Sequence, residues 1–235
     1  MSPLLTEHTP GMIWIADYPV HYAGLDFFSR MTVIRLIDNR LLLHSPCHID
    51  QAMKEQLDRV GEVAYIVAPG SYHYFHVVSA QDAYPLAKTM ICPGVEQKAP
   101  DLQFSEFLCD KVPDSWLDDF DLVLVRGAKY MWEVAFFHKP SRTLILVDLI
   151  ENIGDKTRGV GWGLKFWWKL VFRMWNRPKP APEYQLGWKD KVAARQSLLQ
   201  ILGWNFERVI ISHGDLIDQN AKEVVRLAWK VPLEQ

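Results

Sequence analysis

The sequence predicts an α/β fold, and three observations predict it. Short apolar runs recur at residues 31–37, 41–44, 65–68, 144–147 and 209–212, each of strand length and bounded by turn-forming or polar residues. Between them lie segments with helical spacing, clearest over 51–60, where Met53, Leu57 and Val60 share one face. The chain of 235 residues is 49% hydrophobic and 12% aromatic, which is enough to bury a large core and excludes a disordered protein.

Taken in order, residues 12–16, 31–37 and 41–44 read as strands, the last two joined by the polar turn Asp38-Asn39-Arg40. Asp50 is suited to cap a helix over 51–60, because its carboxylate can accept a free N–H of the first turn, and Gly61 ends that helix. A strand at 65–68, a short helix at 79–84 and a strand at 88–92 continue a βαβ-like rhythm. Strands at 121–125, 132–137 and 143–147 imply a second sheet. Helices at 162–175, 188–202 and 219–230 follow, with a strand at 208–212 before the last; Pro178, Pro180 and Pro182 separate the first two helices. Neither a repeat nor a long linker divides the chain, so one domain over 1–235 is expected.

The formal charge of −2 with dispersed basic residues gives no nucleic-acid footprint, and a small-molecule partner is expected. Cys47, Cys92 and Cys109 form neither a disulfide framework nor paired CxxC knuckles, which fits a reducing compartment. The first eight residues lack a basic flank and an apolar stretch, so no secretory signal is read and a cytoplasmic location is expected.

Chemistry-bearing residues stand where the apolar runs end. The 65–68 run leads into Pro69-Gly70-Ser71-Tyr72-His73-Tyr74-Phe75-His76, the 144–147 run ends at Asp148, and the 209–212 run ends at His213-Gly214. Histidine and carboxylate at such places suit metal binding, because the sheet fixes their origins while the loops let the side chains converge.

In motif order the chain resembles the metallo-β-lactamase superfamily, whose His-x-His-x-Asp-His is followed by a Gly-His, a strand-ending Asp and a strand-ending His. Here Ser71-Tyr72-His73-Tyr74-Phe75-His76 keeps the second and third histidines, Ser71 and Phe75 replace the other two ligands, and Ala128 stands where the next histidine falls. Asp148 and His213 match the remaining positions. The likeness is to a divergent branch described only as a domain of unknown function, and it implies a four-layer αββα sandwich.

The resemblance assigns His73, His76, Asp148 and His213 as ligands of one divalent ion, with zinc, iron and manganese all compatible. His76, His213 and Asp148 would form a three-ligand site, with His73 as fourth ligand or in contact with bound water; His73 and Asp148 are the expected catalytic residues. An open position on such an ion supplies a water of lowered pKa and hence hydrolysis of esters, thioesters, amides or phosphates. Two histidines and a carboxylate also resemble the ferrous facial arrangement, which ranks below hydrolysis. The competing reading is a non-catalytic ligand-binding or scaffolding protein, for which Ser71, Phe75 and Ala128 speak.

Two further stretches stand out. His44-Ser45-Pro46-Cys47-His48 follows a strand, and the resemblance places His44 at the site's rim. Residues 162–175 carry Trp162, Trp167, Trp168 and Trp175 with Lys165, Lys169 and Arg173 at i,i+4 spacing. Such a helix either covers the core and site or makes peripheral contact with a membrane surface.

Overall fold

A computed structural model describes residues 2–234. The first sheet holds seven strands in sequence order: β1 (Thr6–Thr9), β2 (Ile13–Tyr22), β3 (Leu25–Arg35), β4 (Leu41–His44), β5 (Val63–Ala68), β6 (Lys88–Ile91) and β7 (Glu106–Phe107). It is antiparallel from β1 to β4 and parallel from β4 to β7. Parallel pairs need crossovers. Helices α1 (Gln51–Val60), α2 (Val77–Ala83) and α3 (Val95–Lys98) lie within those connections. Asp50 caps α1 by accepting from Met53 N–H, and Gly61 follows its end.

The second sheet has the order β11-β10-β9-β8, made of β8 (Phe120–Leu124), β9 (Val134–His138), β10 (Thr143–Ile145) and β11 (Arg208–Ile210). Alternation along these strands sets the layers. Leu122, Val134, Phe136, Ile145 and Ile210 face the core shared with the first sheet. Their neighbours Val123, Ala135, Phe137, Leu144 and Val209 turn outward onto Leu198, Ile201, Val225 and Trp229. Those four residues come from the C-terminal helices and the turn between the last two. Helices α4 (Trp162–Phe166), α5 (Pro182–Gly187), α6 (Lys191–Gly203), α7 (Ala221–Ala228) and α8 (Lys230–Glu234) complete the chain. Two sheets face to face with helices outside make the four-layer αββα sandwich.

The structure differs from the sequence reading at several elements. The hairpin of β2 and β3 is longer than the expected 12–16 and 31–37, extending to a turn at Ala23 and Gly24, both with positive φ. Pro19 is accommodated because β1 pairs only with the first part of β2 and leaves the rest an edge. In place of one helix over 162–175, α4 runs into a π-helical turn, Trp167–Val171. There the Trp168 carbonyl accepts from the N–H groups of Met174 and Trp175, and Arg173 takes φ of 51°, which closes the helix. The proline-rich connector contains α5, with Pro182 at the first helical turn where its missing N–H costs nothing. Asp190 then starts α6 three residues after the expected 188.

Candidate metal centre

His73, Asp148 and His213 come together where β5, β10 and β11 end, and all three are buried. One ligand atom from each lies within 4.8 Å of the others. His73 Nε2 is 3.3 Å from Asp148 Oδ2, and His213 Nε2 is 3.4 Å from Asp148 Oδ1. Nitrogen and oxygen ligands about 2.1 Å from a zinc ion at tetrahedral angles lie about 3.4 Å apart, so each gap, one to either oxygen of Asp148, has the length of such an edge.

The surroundings fix each ligand. His213 Nδ1 lies 3.0 Å from the Phe28 carbonyl, which can only accept; Nδ1 therefore carries a proton and Nε2 is the atom that faces Asp148 and can bind metal. Ser45 Oγ lies 2.7 Å from His73 Nδ1, and its rotating hydroxyl matches either tautomer. Ser45 itself has φ of 54°, a strained conformation for serine that its buried position maintains. Asp148 Oδ2 is buried without any hydrogen-bond donor, since His73 Nε2 approaches it outside hydrogen-bond geometry. An orphaned carboxylate oxygen beside one imidazole nitrogen, with a second imidazole at the other oxygen, is what a cation would satisfy, and the donor set fits zinc or another borderline divalent ion.

Asp148 is placed by a residue that the sequence left ambiguous. The Glu133 carboxylate is fully buried and accepts the backbone N–H groups of Val147 (2.7 Å), Asp148 (2.8 Å) and Leu149 (2.9 Å). Burial, followed by the Asp148 charge, pushes Glu133 up to about 8, against the pull of those three donors. Its sequence signal is a lone carboxylate beside an otherwise apolar strand. On the opposite flank the buried Arg30 guanidinium donates to the carbonyls of Ile211 (2.6 Å) and Gly214 (3.2 Å) and pairs with Asp17. Gly214, at φ of 100°, lets the chain pass so close to Asn152 that an added Cβ would lie 2.1 Å from its carbonyl oxygen.

Charge inside the cluster follows the same geometry. Burial disfavours the Asp148 anion, but His73 and His213 more than offset it and hold the carboxyl below its usual range. Burial lowers the His213 imidazole and Asp148 reverses the effect, leaving its basicity raised. A more basic imidazole is also a stronger donor to metal.

His76 does not join the group. It stands at the N-cap of α2, half-buried, with its ring 5.5 Å from Tyr18 and 6.1 Å from His48. The tight turn in which His73 N–H donates to the Gly70 carbonyl aims His73 inward, and the start of α2 carries His76 aside. Ser71, at the first histidine's position, latches the loop instead: its N–H donates to Trp132 O and its Oγ accepts from Trp132 N–H. Ala128 packs against the second sheet's outer core, and Phe75 is exposed. His44 is buried with its ring against Phe136, and burial followed by the charge of His73 lowers it to about 3, so it stays neutral beneath the site.

The cluster opens on a cavity of about 660 Å³. Tyr18, Tyr22, Phe27, Tyr72 and His76 line it together with Leu164, Trp167, Trp168 and Phe172. None of the lining residues is a lysine or arginine; the acids are Asp148, Glu151 and Glu183. Trp168 Nε1 donates to Glu151 Oε2 at 3.1 Å, and burial pushes the Glu151 carboxyl up to about 8.

A family model described as a domain of unknown function, DUF4336, matches residues 10–161. No curated protein matches the sequence. Among solved structures, the metallo-β-lactamase FIM-1 from Pseudomonas aeruginosa in its mono-zinc form superposes with a TM-score of 0.67 at 11% identity, covering 100% of this chain and 96% of its own. The metallo-β-lactamase from Erythrobacter litoralis gives 0.67 at 12% identity over 98% and 96%. That from Pontibacter korlensis gives 0.63 at 10% identity over the full length of both chains. At such identities the likeness is one of fold.

Proposed function

The chain belongs to the DUF4336 family and carries the metallo-β-lactamase fold, and on that premise we propose that it is a hydrolase dependent on one divalent metal, zinc by its donor set. The observation that carries this reading is the convergence of His73, Asp148 and His213 at 3.3 and 3.4 Å, facing an open cavity. A bound ion would supply Lewis acidity and a water of lowered pKa. Three protein ligands leave a coordination position for that water.

The chain's own residues account for the rest. His73 and Asp148 would hold the ion together with His213. Glu151, whose burial raises its pKa and which faces the same cavity, is placed to donate to a departing alkoxide, thiolate or amine. With aromatic walls, three acids and no lysine or arginine, the cavity favours a neutral, largely apolar ester, thioester or amide over a phosphodiester or other polyanion.

The test is zinc content and turnover on a panel of neutral aryl and alkyl esters, thioesters and amides. Wild-type protein should retain about one zinc per chain and hydrolyse at least one member. His213→Ala should lose both properties, whereas His76→Ala should keep its zinc. Equal, negligible zinc in all three would sink the reading, and zinc binding without turnover would point to a ligand-binding module. In the same assay Glu151→Gln should keep its zinc and lose about 10²- to 10⁴-fold in kcat. Wild-type activity should fall as pH rises past the Glu151 titration, which a bound cation would bring below its metal-free position of about 8, and that limb should be missing from the variant.

A further inference from the structure

Residues 162–171 present two unlike faces. Leu164 and Trp168 are buried against Ile153 and Met174 and fix the segment to the body. On the other face Trp162, Phe166 and Leu170, spaced i, i+4, i+8, are 87%, 50% and 64% exposed. Trp167 and Val171 beside them are 44% and 48% exposed. Burial of Leu164 and Trp168 already secures the segment, so core packing does not explain a contiguous apolar stripe in water.

Charge says what covers it. The chain is formally −2 overall, yet residues 152–180 hold seven basic residues against one acid, Asp155. Six of the seven, Lys156, Arg158, Lys165, Lys169, Arg173 and Arg177, are exposed. Lys165 and Lys169 lie 5.3 and 5.0 Å from the Trp175 ring, beside the stripe. Tryptophan and phenylalanine flanked by lysines on a short surface helix match an anionic lipid interface, where the rings enter the headgroup region and the ammonium groups meet phosphate. The stripe is continuous with the cavity mouth, because Trp167, Tyr22 and Phe75 both line the cavity and are exposed. Among the described residues no helix is long and apolar enough to cross a membrane, so the contact is peripheral.

We infer that this face docks on an anionic lipid bilayer and turns the cavity mouth towards it. The inference stands apart from the hydrolytic reading, since it uses none of the metal ligands.

The test is co-sedimentation with phosphatidylcholine vesicles with or without phosphatidylglycerol. Wild-type protein should bind the anionic vesicles, less so as salt is raised, and pass over the neutral ones. Each basic residue near such a surface contributes about fivefold, so Lys165→Gln/Lys169→Gln should weaken partitioning on the order of 20-fold. Trp162→Ser/Phe166→Ser/Leu170→Ser should abolish it with melting temperature and zinc content unchanged, because these side chains are exposed. Absence of wild-type binding to anionic vesicles would overturn the inference on its own, whatever the variants do. So would undiminished binding by the triple variant, or a wild-type dimer in sedimentation velocity that this variant converts to monomer. Loss of zinc binding or turnover with vesicle binding intact would count against the hydrolase alone.

Discussion

Asp148→Asn is expected to abolish stoichiometric zinc binding and to lower hydrolysis by at least about 10³-fold, the equivalent of roughly 4 kcal/mol of transition-state stabilisation. Asp148 is the sole carboxylate of the His73, Asp148, His213 group and the residue both imidazoles approach. Asparagine keeps its shape, yet replaces an anionic ligand by a neutral amide and can turn N–H donors towards the two Nε2 atoms. The change also removes an anion that the two imidazoles stabilise, so metal-free Asp148→Asn should unfold at a somewhat lower temperature than metal-free wild type, and the zinc-induced shift is read against each protein's own metal-free Tm. The measurement is thermal unfolding with and without zinc, alongside metal analysis after dialysis. A ligand at a hundred times its Kd stabilises the native state by about 2.7 kcal/mol, so zinc should raise the wild-type Tm by several degrees and leave the variant unmoved. A zinc-dependent shift of wild-type size in Asp148→Asn would show that the ion, if bound, is held elsewhere.

Glu133→Leu is expected to cost about 3–6 kcal/mol of stability, a large part of the roughly 5–15 kcal/mol available to a folded domain. The loss follows from three buried N–H groups, those of Val147, Asp148 and Leu149, left without an acceptor at about 1–3 kcal/mol each, tempered by relief from burying a carboxylate. Glu133→Gln is the gentler probe. Its amide oxygen can keep the donors of Asp148 and Leu149 but its NH2 then opposes the Val147 N–H, so the chain entering Asp148 shifts before the fold is lost, and zinc affinity should fall about 10- to 100-fold. Urea unfolding and zinc titration separate the two effects. A Gln variant with unchanged affinity would confine Glu133 to folding.

Much of the fold was legible because its cause is local. Strands β8 to β11 bury one residue inward and the next outward, and strands buried on both faces are written as continuous apolar runs such as Val134, Ala135, Phe136 and Phe137. The cap at Asp50 and the stop at Gly61 act within one turn of α1. Where the reading slipped, the cause was distant. The outer half of the β2–β3 hairpin is held by its pairing and by Leu25 and Phe27 packing on the 153–174 segment, which is distant in sequence. The helix expected over 162–175 ends early because Arg173 takes a left-handed φ that no periodicity announces.

For the site, the sequence by itself determined the chemistry available and its placement at strand ends, because strand propensity and side-chain type are properties of the residues. Motif order led to the expectation that His73, His76, Asp148 and His213 share one region, and the structure brings His73, Asp148 and His213 together. Which atoms meet was decided only by the tertiary structure. His73 and His76 are three residues apart and chemically identical, but the Gly70–His73 turn sends one to Asp148 and the N-terminus of α2 sends the other to Tyr18 and His48. Glu133, Ser45 and Arg30 acquire their roles through partners 14, 28 and 181 residues away in sequence, at Val147, His73 and Ile211. Hydrogen bonds across such separations depend on how the two sheets and their loops close on one another, and no local pattern encodes that closure.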